Sequence, residues 1–547
     1  MKPPRVPPGL TAAARWAALA GVLLLLVQAA LVLAREPCVG VADNLDYWRV
    51  ARPAGIDVPP QRRQGYFVVC SYPEVAADLG SFFSSPALVA WMARPLGWGL
   101  QVPAGQFDLR QLGLLYWAAS AAVLAGALAL GLPPLLALLF AWVLADPGFL
   151  LFFNSLYADP ALLLGLLGVA CFLPLAGSRR WPPALLLPCA ALAGFSKMQY
   201  SPFPAVLLGA CTAALVLRRE RPGGPRLVLL GLLALVAVAG PCHFFLGAAP
   251  RFPDANAYNA VYGGIARVAS SPEAALAALG IPAEYRSRPA KDYFAAGVGP
   301  DDPVLPALRK LSRVRLAGLY LRDPAAAGRT ATRIAEELWK TGTNPRGNYT
   351  HPESGRQRRV YETPLQFSLW RSWCLRWLPP QTAWIFLAAV LGALVYRGAR
   401  GARGLWTSED TLWLFLVLWV CSQAAVAVLG EGFVNLHQHL LGARFGFDLL
   451  LVLALARGLT ALLGKPAGVG AEALERRDHQ VDQEDEAPGL SRQEPQGGER
   501  QESRRGEAEQ AGEAFHRGEC GLLRNVRHAR MLSRPAPLNL QAPAKIL

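Results

Sequence analysis

Apolar residues fall in long runs, at about 11–34, 111–131, 133–155, 160–176, 182–196, 203–217, 227–247, 381–396, 410–429 and 444–463. A helix needs about 20 apolar residues to cross a bilayer, so this pattern predicts about ten transmembrane helices. The expected fold class is an all-α polytopic membrane protein.

Three polar stretches interrupt the pattern. Residues 35–110 follow the first run and contain an amphipathic stretch, Ser81 to Leu100. Phe82, Phe83, Trp91 and Trp98 suit that stretch to a helix lying at the membrane interface. Residues 248–380 form a second long connection, with helices expected over Pro272 to Leu279 and Thr330 to Trp339. Trp370, Trp373 and Trp377 form an aromatic belt before the next span. From residue 464 to 547 Glu, Arg, Gln and Gly dominate, which reads as a disordered tail. The organisation expected is therefore an N-terminal transmembrane module (1–247, with its first loop 35–110), a loop subdomain (248–380), C-terminal transmembrane helices (381–463) and the tail (464–547).

Composition agrees with a membrane protein. Of 547 residues, 53% are hydrophobic and 17% charged, against about a quarter charged in soluble chains. A net charge of +15 could suggest nucleic acid, but much of it lies in arginine clusters between apolar runs. Arg179 and Arg180, then Arg218, Arg219, Arg221 and Arg226, then Arg397, Arg400 and Arg403 fall on alternate connections. The intervening short connections carry only Lys197 and Arg444 near their ends. By the positive-inside rule the N-terminus and tail are cytoplasmic, and both long loops are extracytoplasmic. The first run follows Lys2 and Arg5 but is long for a signal peptide and lacks a small-residue cleavage site, so it reads as a retained helix. No nucleic-acid partner is expected. Membrane lipids surround the chain.

Cys171, Cys189, Cys211, Cys242 and Cys421 lie in or beside apolar runs and read as small hydrophobes. Cys38 and Cys70 share the first loop. On the extracytoplasmic side they either form a disulfide or remain two thiols.

Four polar groups stand at helix ends on one side of the expected bilayer. Asp43 and Asp46, three apart, would share a face of a helical turn, with Arg49 three further on. A carboxylate there suits a general base or a metal ligand, and an arginine suits a phosphate; a solvated acidic turn neutralised by Arg49 explains them equally. The second group is Asn154, Tyr157 and Asp159, where Asp159 with Pro160 also reads as a helix cap. The third is Lys197, Gln199 and Tyr200, where the lysine either snorkels or binds phosphate as a point charge. The fourth is His437, His439, Arg444 and Asp448. The two histidines are two apart and do not form a helix-borne zinc pair. Asp448 lies inside a span, and Arg444 is its expected partner. No Walker A, nucleophile-elbow, HExxH or CxxC pattern is present. The Asn348-Tyr349-Thr350 sequon reads as a chance match.

With these residues in view, the layout resembles polytopic glycosyltransferases of the GT-C superfamily, and more narrowly bacterial glycan-biosynthesis hexose transferases. The segments that carry the resemblance are Asp43-Asn44-Leu45-Asp46-Tyr47-Trp48-Arg49, Asn154-Ser155-Leu156-Tyr157-Ala158-Asp159-Pro160, Ser196-Lys197-Met198-Gln199, Tyr258-Asn259-Ala260-Val261-Tyr262-Gly263-Gly264-Ile265 and His439-Leu440-Leu441-Gly442-Ala443-Arg444-Phe445. They span the chain up to about residue 463 and exclude the tail. Leu45 stands where that group has a small polar residue or glycine, and Gln438 where it usually has a lysine.

The resemblance implies sugar transfer from a polyprenyl-phosphate donor to a glycan, lipid or protein acceptor, on the outer face of a bacterial cytoplasmic membrane. Asp43 or Asp46 would be the catalytic base, with Asp159 as the second acid. Arg49, Lys197, His439 and Arg444 would bind the donor phosphate. Asn154, Tyr157, Gln199, Tyr258 and Asn259 would bind substrate. A divalent metal, magnesium or manganese, is compatible with the resemblance but not required by it, and no other cofactor is expected. Two other classes compete: a transporter or flippase of lipid-linked saccharides, and a non-catalytic assembly protein.

Overall fold

The computed structural model describes residues 8–43, 46–59, 67–78, 83–177, 185–219, 223–247, 251–288, 291–340, 347–348, 363, 365–400 and 406–462. All lie within the compact unit Met1–Ala467. The expected tail, 464–547, lies outside the described residues, as do Phe82 and the connection with Arg179 and Arg180.

The fold is a helical membrane bundle. Seven described helices are long and apolar enough to cross a membrane, and eight if one bent pair counts as a span. The run at 133–155 is that bent pair, Pro134–Leu144 and Pro147–Asn154, inclined by 61°. The break has a local cause. Asp146 is extended ahead of Pro147, as the residue before a proline prefers, and its Oδ1 accepts from the Gly148 N–H at 2.7 Å. The run at 182–196 yields a described helix of nine residues, Leu186–Gly194, which is short of a span. The run at 444–463 lies in the helix Leu441–Leu462, long enough to cross but carrying Arg444, Asp448 and Arg457.

At the centre lies Asp159–Phe172, every residue of which is buried. Its glycines let a neighbour approach: a Cβ at Gly165 would sit 2.6 Å from the Cys189 carbonyl. Small residues at such contacts are how helices pack in lipid, where no hydrophobic gain drives association. Two spans begin with capping boxes, Asp108 with Gln111 and Thr407 with Asp410.

The first loop is folded. Cys38 and Cys70 are disulfide-bonded, with Cα atoms 6.1 Å apart. The bridge sits next to a two-stranded antiparallel sheet in which Ser71 pairs with Asp108. The helix Trp48–Ala54 ends on Gly55 at φ 69°, a left-handed conformation open to glycine at no steric cost. The interfacial stretch forms the helix Ser85–Ala93, exposing Leu88, Trp91 and Met92.

The second loop is helical, with Pro272–Ala278 and Pro324–Trp339 covering the two expected helices. Asp323 caps the latter through the Ala326 N–H and binds Ser270 by two further hydrogen bonds. The helix Phe367–Leu375 exposes Trp370 and Trp373 while burying Phe367, Ser368 and Arg371.

Candidate active site

The site lies where helix ends meet. Asn154 ties it together from below: its Nδ2 donates to the carbonyls of Leu33 and Val39, at 2.9 and 2.7 Å. Gly40 passes so close to Asn154 that any Cβ would collide with its backbone. On the other side Gly40 exchanges hydrogen bonds with Asn348, and Ala42 N–H donates to Gly347 at 3.1 Å. Tyr157 adds a third hold, its hydroxyl donating to the Ala42 carbonyl at 3.0 Å. The strand leading to Asp43 is thus held from both sides. Asn154 and Tyr157, expected to bind substrate, are buried and have their side chains turned to backbone instead. Asn348, the first residue of the sequon, is buried, and the other two lie outside the described residues.

The paired aspartates separate. A helix begins only at Trp48, so no helical turn carries both. Asp43 is buried, and its Oδ1 accepts from the Tyr47 N–H at 3.2 Å. Tyr47 packs edge-on against Tyr72 and Tyr157. Burial beside those tyrosines and Asp43 pushes the Tyr47 phenol well above its ordinary range, so it stays a donor, directed to the Val41 carbonyl. Asp46 is a quarter exposed and pairs with Arg49 at 3.3 Å. Its other oxygen meets Gln438 Nε2 at 3.5 Å.

Through Gln438 the first loop reaches the last one. His439 Nδ1 lies 3.0 Å from Gln199 Oε1, and Nε2 lies 2.8 Å from Glu431 Oε2. The Gln199 amide N–H groups point to the His439 carbonyl and to Gln423. That fixes its oxygen toward the ring. Both ring nitrogens of His439 thus face an oxygen. His439 is therefore engaged at both nitrogens rather than open to a phosphate. Lys197 and Arg49 lie within electrostatic reach of Glu431. The Lys197 ammonium faces the Tyr200 ring at 5.8 Å and makes no hydrogen bond or ion pair within 4 Å among the described residues.

Asp159 does not cap its helix; the capping position is Ala158. The carboxylate is fully buried and accepts instead from the Tyr200 hydroxyl.

Tyr258 and Asn259 do not line this site. Tyr258 is buried against Tyr262 at 4.6 Å, and Asn259 accepts from the Tyr293 N–H at 2.8 Å. They shape a π-helical turn, Val261–Ile265, a local widening that recurs at functional sites. Its glycines admit the loop after Glu431: the Phe433 N–H donates to Gly263 at 3.1 Å. A Cβ at Gly432 (φ 65°) would lie 2.6 Å from both the Asn259 carbonyl and the Gly264 nitrogen. The motif thus positions Glu431.

Arg444 also departs from expectation. Asp448 pairs with Arg371, not with Arg444. Among the described residues the Arg444 guanidinium makes no hydrogen bond; it lies over Phe149 at 5.9 Å, buried near Asp448 and Asp146. Sequence reasoning missed Arg371 because it falls among exposed tryptophans, on the face of the helix opposite to theirs. It missed Glu431 as a partner of His439 because the two are eight positions apart across a loop. Among the described residues no group of three or more His, Cys, Asp or Glu side chains is placed to hold a metal ion.

Fold and site together define a polytopic helical membrane protein with a polar cluster at its loop ends. Residues 11–473 match the family described as YfdI N-terminal transmembrane domain, and the chain belongs to that family. No curated protein and no solved structure matches it.

Proposed function

We propose that the chain is an integral membrane glycosyltransferase of GT-C type, transferring a sugar from a polyprenyl-phosphate donor to an acceptor hydroxyl on the outer face. The observation that carries this reading is the meeting of Asp46, Gln438, His439 and Gln199, drawn from three distant segments. It places carboxylates beside a group of cations, the combination that hydroxyl activation and phosphate departure require.

In this reading Asp43 is the base. Asp46 has both oxygens engaged, one by Arg49 at 3.3 Å and the other by Gln438 Nε2 at 3.5 Å. Asp43 is buried at the end of the segment that Asn154, Asn348 and Tyr157 hold, with its Oδ1 fixed by the Tyr47 N–H. The acceptor proton passes to Asp43 as the hydroxyl oxygen bonds to the anomeric carbon. The bond from that carbon to the phosphate oxygen breaks, its electron pair leaving with the phosphate. Lys197 and Arg49 meet the developing charge. Asp46 positions Arg49, and Asp159 with Tyr200 supports the pocket wall. No step here is assigned to a metal.

The test is transfer of labelled sugar by the full-length protein in membranes, combined with complementation of a deletion strain. Loss of surface glycan in Asp43→Asn, with the protein still in the membrane, supports the reading; full glycan in Asp43→Asn, Asp46→Asn and Asp159→Asn overturns it. Asp448, buried inside the long apolar helix Leu441–Leu462, favours a transporter instead, since ionisable groups inside spans mark translocation paths. A transporter defect would leave untransferred lipid-linked sugar on the inner leaflet.

A further inference from the structure

Glu431 has no part in the reaction as proposed. It ends the helix Ser408–Glu431, where converging carbonyls make a poor place for negative charge. Yet cations surround it. His439 Nε2 is 2.8 Å away, and Lys197, Arg49 and Arg313 lie within electrostatic reach. The Glu431 side chain is 28% exposed, whereas that of His439 is 11% exposed. Simple neutralisation of His439 accounts for one of these contacts. It does not account for Lys197, whose ammonium makes no hydrogen bond among the described residues. Arg49 pairs with Asp46 at 3.3 Å and also lies within electrostatic reach of Glu431.

A partly exposed carboxylate with an imidazole, an ammonium and guanidinium groups about it has the surroundings of a bound phosphate. We propose that Glu431 is a resident anion in the phosphate site of the lipid donor. Its carboxylate keeps His439, Lys197 and Arg49 converged, and it gives way when the donor phosphate enters. Gly432, in the left-handed region, supplies a turn immediately beyond it. The inference rests on the lipid-phosphate donor of the proposed function.

The test is binding of geranyl phosphate to the purified full-length protein in detergent, with geraniol and inorganic phosphate as comparison ligands. Glu431→Gln and Glu431→Ala are expected to bind geranyl phosphate about tenfold tighter than the wild type, the effect of removing roughly 1.4 kcal/mol of like-charge competition. Glu431→Asp is expected to keep the wild-type affinity, and geraniol to be unaffected. Unchanged or weaker geranyl phosphate binding in monodisperse preparations of both variants overturns the proposal. Tightening toward inorganic phosphate alone overturns its assignment to a lipid phosphate. These readouts need no sugar transfer, so the glycosyltransferase reading fails separately, through the aspartate variants.

Discussion

Gln199 and His439 stand 240 positions apart and meet at 3.0 Å, the amide oxygen of one against Nδ1 of the other. A second bond, from the Gln199 amide to the His439 backbone carbonyl, makes the contact two-pronged. The two residues should act as a unit. Gln199→Ala and His439→Ala are each expected to lower transfer, and the double variant to lose less than their sum, with a coupling of about 1 kcal/mol. A double-mutant cycle on transfer rates checks this. Strict additivity would separate the two.

Arg371 and Asp448 form an ion pair with both side chains almost fully buried. Arg371 also donates to the Lys340 carbonyl at 2.6 Å, so it anchors the helix Phe367–Leu375 to the bundle. Arg371→Ala leaves Asp448 uncompensated and is expected to cost about 3–5 kcal/mol. Arg371→Met with Asp448→Leu should recover much of that loss. Unfolding in detergent followed by tryptophan fluorescence measures both.

The Cys38–Cys70 bridge closes a loop with a sequence separation of 32. Its removal in Cys38→Ser with Cys70→Ser is expected to cost about 2–4 kcal/mol. Maleimide labelling under denaturing, non-reducing conditions should leave both cysteines unmodified until a reductant is added. Labelling of both without reductant would contradict the bridge.

Asp323 carries a pH dependence. The Ser270 and Ala326 N–H groups hold its carboxyl down at about 2, below the ordinary 3.8. A depressed acid contributes stability that is present above its unfolded value and is lost as pH falls through the folded one. Protection of the Pro324–Trp339 amides, taken relative to their intrinsic exchange at each pH, should therefore fall between about pH 4 and pH 2. In Asp323→Asn that acid step should disappear.

Much of the bundle was legible because apolar runs and turn residues are local signals. The 11–34 run became one helix of 26 residues, Pro8–Leu33, and the helix expected from Pro272 starts there, capped by Ser271. What was not legible depended on distance. Asp159 looked like a cap because Pro160 follows it; its partner, Tyr200, is 41 positions away. Arg444 looked like the mate of Asp448 because it lies one helical turn off, yet Arg371, 77 positions back, takes that place. Tyr258 and Asn259 were expected as substrate contacts through the resemblance alone, which carries no geometry. The glycines after them instead admit the backbone of the Glu431 loop.

The central claim is that Asp43 removes the acceptor proton while Asp46 holds Arg49. Its most direct measurement is the rate of sugar transfer from a lipid-linked donor by purified Asp43→Asn and Asp46→Asn. Loss of a general base predicts a fall of about 100-fold or more in kcat for Asp43→Asn, with donor KM little changed. Asp46→Asn should mainly raise donor KM, through a misplaced Arg49. A wild-type kcat in Asp43→Asn, or a larger kcat loss in Asp46→Asn, would contradict the account.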